Sequence, residues 1–161
     1  MTFSIRLLLP ALLALGACSQ QAEPAATPEA RIKAGIVLSD GRLVLPAVKG
    51  NPAAAYFTVS NQSAVAAYLV KIEVAHAASA EMHEMAGSAM RAVPVLELTS
   101  GQHALFAPGG RHVMGFGLPA TIKPGDKLDM TLHFRSGHVA VAQLTAESAG
   151  GMDAMAGMDH H

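Results

Sequence analysis

The chain has one cysteine, no tryptophan and few aromatic residues, 4% of its 161 positions. One cysteine excludes an intrachain disulfide and leaves no thiolate set for a structural zinc or an iron–sulfur cluster. Charge is scarce as well: 14% of residues are charged, 11 basic against 12 acidic, for a formal net charge of −1. Nucleic-acid binding needs a concentrated basic patch to neutralise phosphates, and none is visible, so no nucleic-acid partner is expected. No apolar run approaches the roughly 20 residues that span a bilayer as a helix. The length suits one domain, since domains most often run to roughly 100–150 residues. Two residue types are abundant: 9 Met and 8 His, with all the Met but Met1 lying at or beyond Met82. Core filler would be spread more evenly.

Residues 1–17 read as an export signal, with Arg6 near the start and an apolar run from Leu7 to Leu15. The segment Leu15-Gly16-Ala17-Cys18 resembles the bacterial lipobox, in which the cysteine is lipidated and becomes the new N-terminus. An ordinary cleaved signal with an incidental cysteine is the competing reading, and the small residues Gly16 and Ala17 suit it too. The lipoprotein is favoured because the only cysteine falls at this position. Cleavage before Cys18 removes Arg6 and takes the formal charge from −1 to −2. Several acyl chains on Cys18 would hold the protein firmly at a membrane. Ser19 is not the aspartate that favours inner-membrane retention, so the outer membrane of the envelope is the expected address. Residues 18–31, rich in Ala, Pro, Glu and Gln, read as a flexible tether.

From residue 32 to residue 146 the pattern is one of short alternating apolar runs broken by turn residues. Expected strands are Ile32–Leu38, Arg42–Pro46, Ala54–Ser60, Tyr68–Ala75, Ala80–Met85, Met90–Leu98, Gln102–Phe106, Arg111–Leu118, Asp126–Phe134 and His138–Thr145. Turns are expected at Asp40-Gly41, Gly50-Asn51-Pro52, Asn61-Gln62-Ser63, Pro108-Gly109-Gly110, Pro124-Gly125-Asp126 and Ser136-Gly137. Many short strands with turns between them predict an all-β domain, a cupredoxin-like or immunoglobulin-like β-sandwich with disordered tails at both ends. Alternation sorts the side chains by face. Met130 falls with Leu128, Leu132 and Phe134 in the core, and His133 faces solvent. His112, Met114 and Phe116 share one face, and His83 and Met85 share another, with Met82 and Glu84 opposite.

His112 and Met114 stand two apart on a strand, with Cα atoms roughly 6.5–7 Å apart, so an imidazole and a thioether can converge on one ion. Met90 opens one expected strand and His83 lies near the end of another, which offers a four-donor N/S set of His83, Met90, His112 and Met114. Thioether sulfur is soft and neutral and suits Cu(I), whereas zinc sites are built from Cys, His and carboxylates. In an oxidising envelope thiols are lost to disulfides, and thioethers are not. A single Met is more often core filler; the joint placement of these four near turns is what packing does not explain. His76, His103 and His138 are expected as exposed side chains.

These residues resemble the motif of the PCu(A)C family of periplasmic copper chaperones: a His, ten residues, a Met, twenty-one residues, then His-x-Met. Arg91 to Arg111 gives the twenty-one residues between Met90 and His112, and His112-Val113-Met114 gives the His-x-Met. Pro108-Gly109-Gly110-Arg111-His112, Ala54 to Asn61 and Leu132-His133-Phe134 also look like that family, so the resemblance runs from about Ile36 to Phe134. One departure stands out. His83 and Met90 enclose six residues, Glu84 to Ala89, and the position ten before Met90 is Ser79, which cannot replace an imidazole. His83 is therefore carried over by its Glu-Met-His-Glu-Met context, and an even change in hairpin length can keep it on the same face. Met85, on that face, is an additional candidate.

Residues 147–161 lose the strand pattern and end in Met152-Asp-Ala-Met155-Ala-Gly-Met158-Asp-His160-His161. A solubilising end or a tag fragment would account for some of this. Related chaperones often carry Met- and His-rich tails, however, and here Met152, Met155, Met158, His160 and His161 offer a second, mobile site, with the imidazoles suited to Cu(II). The resemblance implies a copper chaperone and not an enzyme. It would bind Cu(I) in the periplasm and deliver it to a copper-accepting oxidase subunit, such as the copper centre of cytochrome c oxidase, alone or with a thiol-bearing assembly factor. A copper-buffering or resistance protein without a client would use the same ligands. A blue-copper electron carrier fails because it needs a Cys thiolate beside two His, and the only Cys is Cys18.

Overall fold

The computed structural model describes residues 35–152, and within them the chain is all-β. Ten strands follow in order: β1 (Ile36–Leu45), β2 (Ala53–Asn61), β3 (Ala67–Val74), β4 (Ser79–Ala86), β5 (Ala89–Ala92), β6 (Leu96–Leu98), β7 (His103–Phe106), β8 (His112–Phe116), β9 (Lys127–Phe134) and β10 (Val139–Ser148). A 3₁₀ turn over Ala149–Met152 closes the described chain. The expected signal, Cys18 and tether lie outside the described residues, as do Met155, Met158, His160 and His161. Among the described residues no helix is long and apolar enough to cross a membrane.

The strands form one hydrogen-bonded path, β5-β4-β8-β2-β1-β10-β9-β3-β6, with β7 paired to β2. One long edge of β2 is shared, Ala53–Ala55 pairing with β8 and Phe57–Ser60 with β7. Every pair is antiparallel except β1 with β10, which run parallel. The path closes on itself as a sandwich, because apolar side chains from both halves make one core. Strict alternation supplies that core: Ala53, Ala55, Phe57 and Val59 from β2 and Leu128, Met130, Leu132 and Phe134 from β9 are all buried. Phe57 and Phe106 stack with ring centroids 4.3 Å apart. Met130 is fully buried, as its alternation predicts.

Two expectations are corrected. Asp40-Gly41 is not a turn between two strands. It is a bulge inside one ten-residue strand, because the register with β2 runs from Ser39↔Thr58 to Arg42↔Tyr56 with one extra residue on β1. Asp40 takes the left-handed conformation (φ 58°) that a short polar residue tolerates. At Gly41 a Cβ would stand 2.6 Å from the Gln143 carbonyl oxygen of β10, so only glycine lets the neighbouring strand close in. Likewise, Met90–Leu98 is not one strand. The Val93 N–H makes a last bond to Met82 O, and Pro94 then has no donor to offer. The chain crosses between the halves there, so β5 pairs with β4 and β6 with β3.

One buried polar residue ties loops to this core. Asn61 is fully buried, and its amide donates to the carbonyls of Val65, Leu98 and Thr99 while its oxygen accepts from the N–H and hydroxyl of Ser63. Removing it breaks the bonds to all three carbonyls and to Ser63 at once, with the Thr99 carbonyl left to Gln102 N–H and the Val65 carbonyl to the Ser63 hydroxyl. Asn61→Ala is therefore expected to lower the unfolding free energy by about 2–4 kcal/mol in urea denaturation, and a loss below about 1 kcal/mol would contradict this role.

Candidate metal centre

The site begins with a turn. Ala86 pairs with Ala89, leaving Gly87-Ser88 as a two-residue hairpin loop with Gly87 at φ 65°. Glycine at the first central position with positive φ is the type II′ turn, whose twist matches that of the strands it joins. The turn sets the register of everything after it: Met85 opposite Met90, Glu84 opposite Arg91 and His83 opposite Ala92. On the other side of β4, His83 is opposite His112, Met82 opposite Val113 and Glu81 opposite Met114. Because side chains alternate, Glu81, His83, Met85, Met90, His112 and Met114 emerge on one face. Met82 and Val113 point the other way, into the core. Glu84 also faces away from His83, with its carboxylate 3.8 Å from Arg111.

A second turn fixes β8. Pro108-Gly109, with Gly109 at φ 76° and Gly110 N donating to Ala107 O at 3.0 Å, is a type II turn. The Gly110 carbonyl it presents accepts two hydrogen bonds, from Met85 N at 3.3 Å and from His112 Nδ1 at 3.1 Å. Backbone and ligand face are thus joined at one oxygen. The rings of His83 and His112, both buried, lie edge to face with centroids 5.9 Å apart. Met90 is half exposed (51%) on edge strand β5, and its Sδ lies 3.3 Å from His112 Nε2. Met85 sits beside Met90, and Met114 stands one pair further along, opposite Glu81.

The Nε2–Sδ contact is chemically unusual. In a neutral imidazole whose Nδ1–H is donated to Gly110, Nε2 carries only a lone pair, and a thioether has no proton to give. In that tautomer two acceptors face one another. With metal–nitrogen and metal–sulfur bonds of about 2.0 and 2.3 Å, two donors on a tetrahedral ion stand roughly 3.5 Å apart, a separation close to this one and also within the range of an N–H···S hydrogen bond. His83 adds a buried Nδ1 with no hydrogen-bond partner. A cation between His112 Nε2 and Met90 Sδ would satisfy both atoms, and the donor set of imidazole and thioether is a soft one. No group of three or more His, Cys, Asp or Glu side chains converges among the described residues, so a site of zinc type is not assembled there.

The structure therefore brings His83, Met85, Met90, His112 and Met114 to one face. Met152 lies in the closing 3₁₀ turn, apart from these strands in sequence. Four described histidines lie outside the cluster: His103 is hydrogen-bonded to Ser60 Oγ at 2.6 Å, His133 to Glu73 at 2.9 Å, and His76 (φ 67°) and His138 are exposed in loops. The Lys71 ammonium, and His133 after it, hold the exposed Glu73 carboxyl below the ordinary carboxylate range. One residue of the face was missed from sequence. Glu81 stands two before His83, and its Oε2 lies 3.2 Å from His83 Nε2. The two-residue period of the strand was the signal that could have found it.

The fold is shared with PCuAC domains of known structure. The copper-bound PCuAC domain from PmoF2 superposes with a TM-score of 0.65 at 21% identity, covering 74% of this chain and 98% of that one. The apo PCuAC domain from PmoF1 gives 0.63 at 22% identity, with 74% and 99% covered. The Cu(I) form of DR1885 from Deinococcus radiodurans gives 0.56 at 27% identity, covering 69% of this chain and 76% of that one. No curated protein gives a significant match. The family model of LpqE-like lipoproteins matches residues 36–157, and the chain belongs to that family.

The hairpin gives a prediction of its own. Nothing lies within 4 Å of a Cβ added at Gly87, so Gly87→Ala meets only the cost of positive φ. It should destabilise the β4–β5 hairpin by about 1 kcal/mol, seen as faster amide exchange across Ala89–Ala92 with exchange in β9 unchanged.

Proposed function

We propose that this protein is a copper carrier of the cell envelope, not a catalyst. Cu(I) is held by His83, Met90, His112 and Met114, with Met85 as a further sulfur within the same face. The observation that carries the reading is the 3.3 Å approach of His112 Nε2 to Met90 Sδ, at a ring whose other nitrogen is held by the Gly110 carbonyl. The likeness to the Cu(I) form of DR1885 supports the choice of ion. Carrier chemistry also accounts for the exposure of Met90. A neutral thioether at the rim can leave without a charge penalty, and an incoming thiolate or imidazole of the recipient takes its place. Stepwise exchange then passes the ion on without releasing it to water.

The recipient fits a copper-accepting protein such as the copper centre of cytochrome c oxidase, alone or through a thiol-bearing assembly factor. Membership of a lipoprotein family supports lipidation at Cys18, and the residue after it favours the outer membrane. The end of the chain, with Met152, Met155, Met158, His160 and His161, supplies a second and weaker site that captures Cu(II) or Cu(I) before the folded site takes it.

Competition titration with Cu(I) under anaerobic, reducing conditions tests the reading, on the chain from Ser19 onward with and without residues 153–161. One tight equivalent should survive loss of those residues. It should weaken by more than about 100-fold in His112→Ala plus Met114→Ala, beyond what outer-shell changes alone produce. Copper that disappears with the terminal residues and is indifferent to the double substitution would overturn the folded site.

A further inference from the structure

The two buried imidazoles are held in different ways. His112 donates Nδ1–H to the Gly110 carbonyl, which leaves Nε2 as its free donor to a metal. His83 is held at its other nitrogen: Nε2 lies 3.2 Å from Oε2 of Glu81, and Nδ1 is buried with no partner. An ionised carboxylate is an acceptor only, so Nε2 must carry the hydrogen and the lone pair falls on Nδ1. An acceptor left buried and unpaired is costly, and the cost is removed when an ion occupies that lone pair. Glu81 is itself more than half exposed, and it does not converge with the two imidazoles into a three-donor group. Its place is behind His83.

We propose that Glu81 is a positioning residue that fixes His83 as the Nε2–H tautomer, so that the site takes copper through Nδ1 of His83 and Nε2 of His112. The proposal rests on the copper reading above and deepens it by assigning the ligating atoms. Carboxylates and carbonyls commonly orient metal-binding imidazoles from the side away from the ion, and here one of each does so for the two rings. The two histidines stand directly opposite each other across β4 and β8, with rings at 65° and centroids 5.9 Å apart, within reach of one ion.

Two-bond proton–nitrogen correlation spectra of the ¹⁵N-labelled full chain test this, first without metal and then with one equivalent of Cu(I). Without metal, His83 should show the Nε2–H pattern and His112 the Nδ1–H pattern; with Cu(I), the shift at His83 should fall on Nδ1. Glu81→Gln, whose amide oxygen still accepts, should keep the His83 pattern. Glu81→Ala should mix its tautomers and weaken Cu(I) binding by about 10-fold while leaving the His112 pattern unmoved. A His83 Nδ1–H pattern without metal, or a Cu(I) shift on His83 Nε2, overturns the proposal even if copper binds tightly. Glu81→Ala that binds as wild type with an unchanged His83 pattern overturns it too. The expected metal-free pattern with no Cu(I) uptake at all overturns the ligand assignment together with the carrier reading, and so separates that failure from a failure of the Glu81 restraint.

Discussion

The register of β4 between β5 and β8 is the constraint on which the site depends. Because strand side chains alternate with period two, a slip of one residue in either ladder would send His83 into the core and Met82 to the surface. Three local features hold that register. The Gly87 turn fixes Met85 opposite Met90, and Val113 and Met82 lock their shared pair into the core. The Gly110 carbonyl takes one hydrogen bond from the backbone of β4 and one from the ring of His112. The fold's own hydrogen bonds hold the two imidazoles that the proposed site uses, through the Gly110 carbonyl and the Glu81 carboxylate.

Placement at the sheet edge then shapes how that ion is handled. The imidazoles are buried and held by Gly110 and Glu81, while Met90 rides on a four-residue edge strand with all four residues exposed. A buried nitrogen pair with an exposed sulfur rim would suit exchange in the proposed site, the inner donors keeping geometry while the outer ones turn over. A fully enclosed site would bind well and release slowly. An all-loop site would pay the ordering entropy at each binding event.

Much of this was legible in the sequence, for reasons that are specific to strands. The faces of β8 and β9 follow from alternation alone, which puts Met130 in the core and His112 and Met114 on one shared face opposite Val113. Breaks in pairing were harder to read. Asp40-Gly41 has the composition of a turn, yet the strand continues through it, because a bulge and a turn ask for the same backbone freedom and differ only in what the flanking residues pair with. Met90–Leu98 has the apolar pattern of one strand, and only the missing donor of Pro94 marks where it changes partners. Glu81 was passed over because attention to the motif stopped at His and Met. Ligands advertise themselves by type, whereas the groups that orient them do so only by position.

The most direct test of the account is X-ray absorption at the copper edge on the full chain loaded with one equivalent of Cu(I). The account predicts a mixed shell in which two imidazole nitrogens and thioether sulfur at about 2.3 Å are both present, with the sulfur contribution reduced by Met90→Leu. A shell of nitrogen and oxygen alone, unchanged by that substitution, would contradict it.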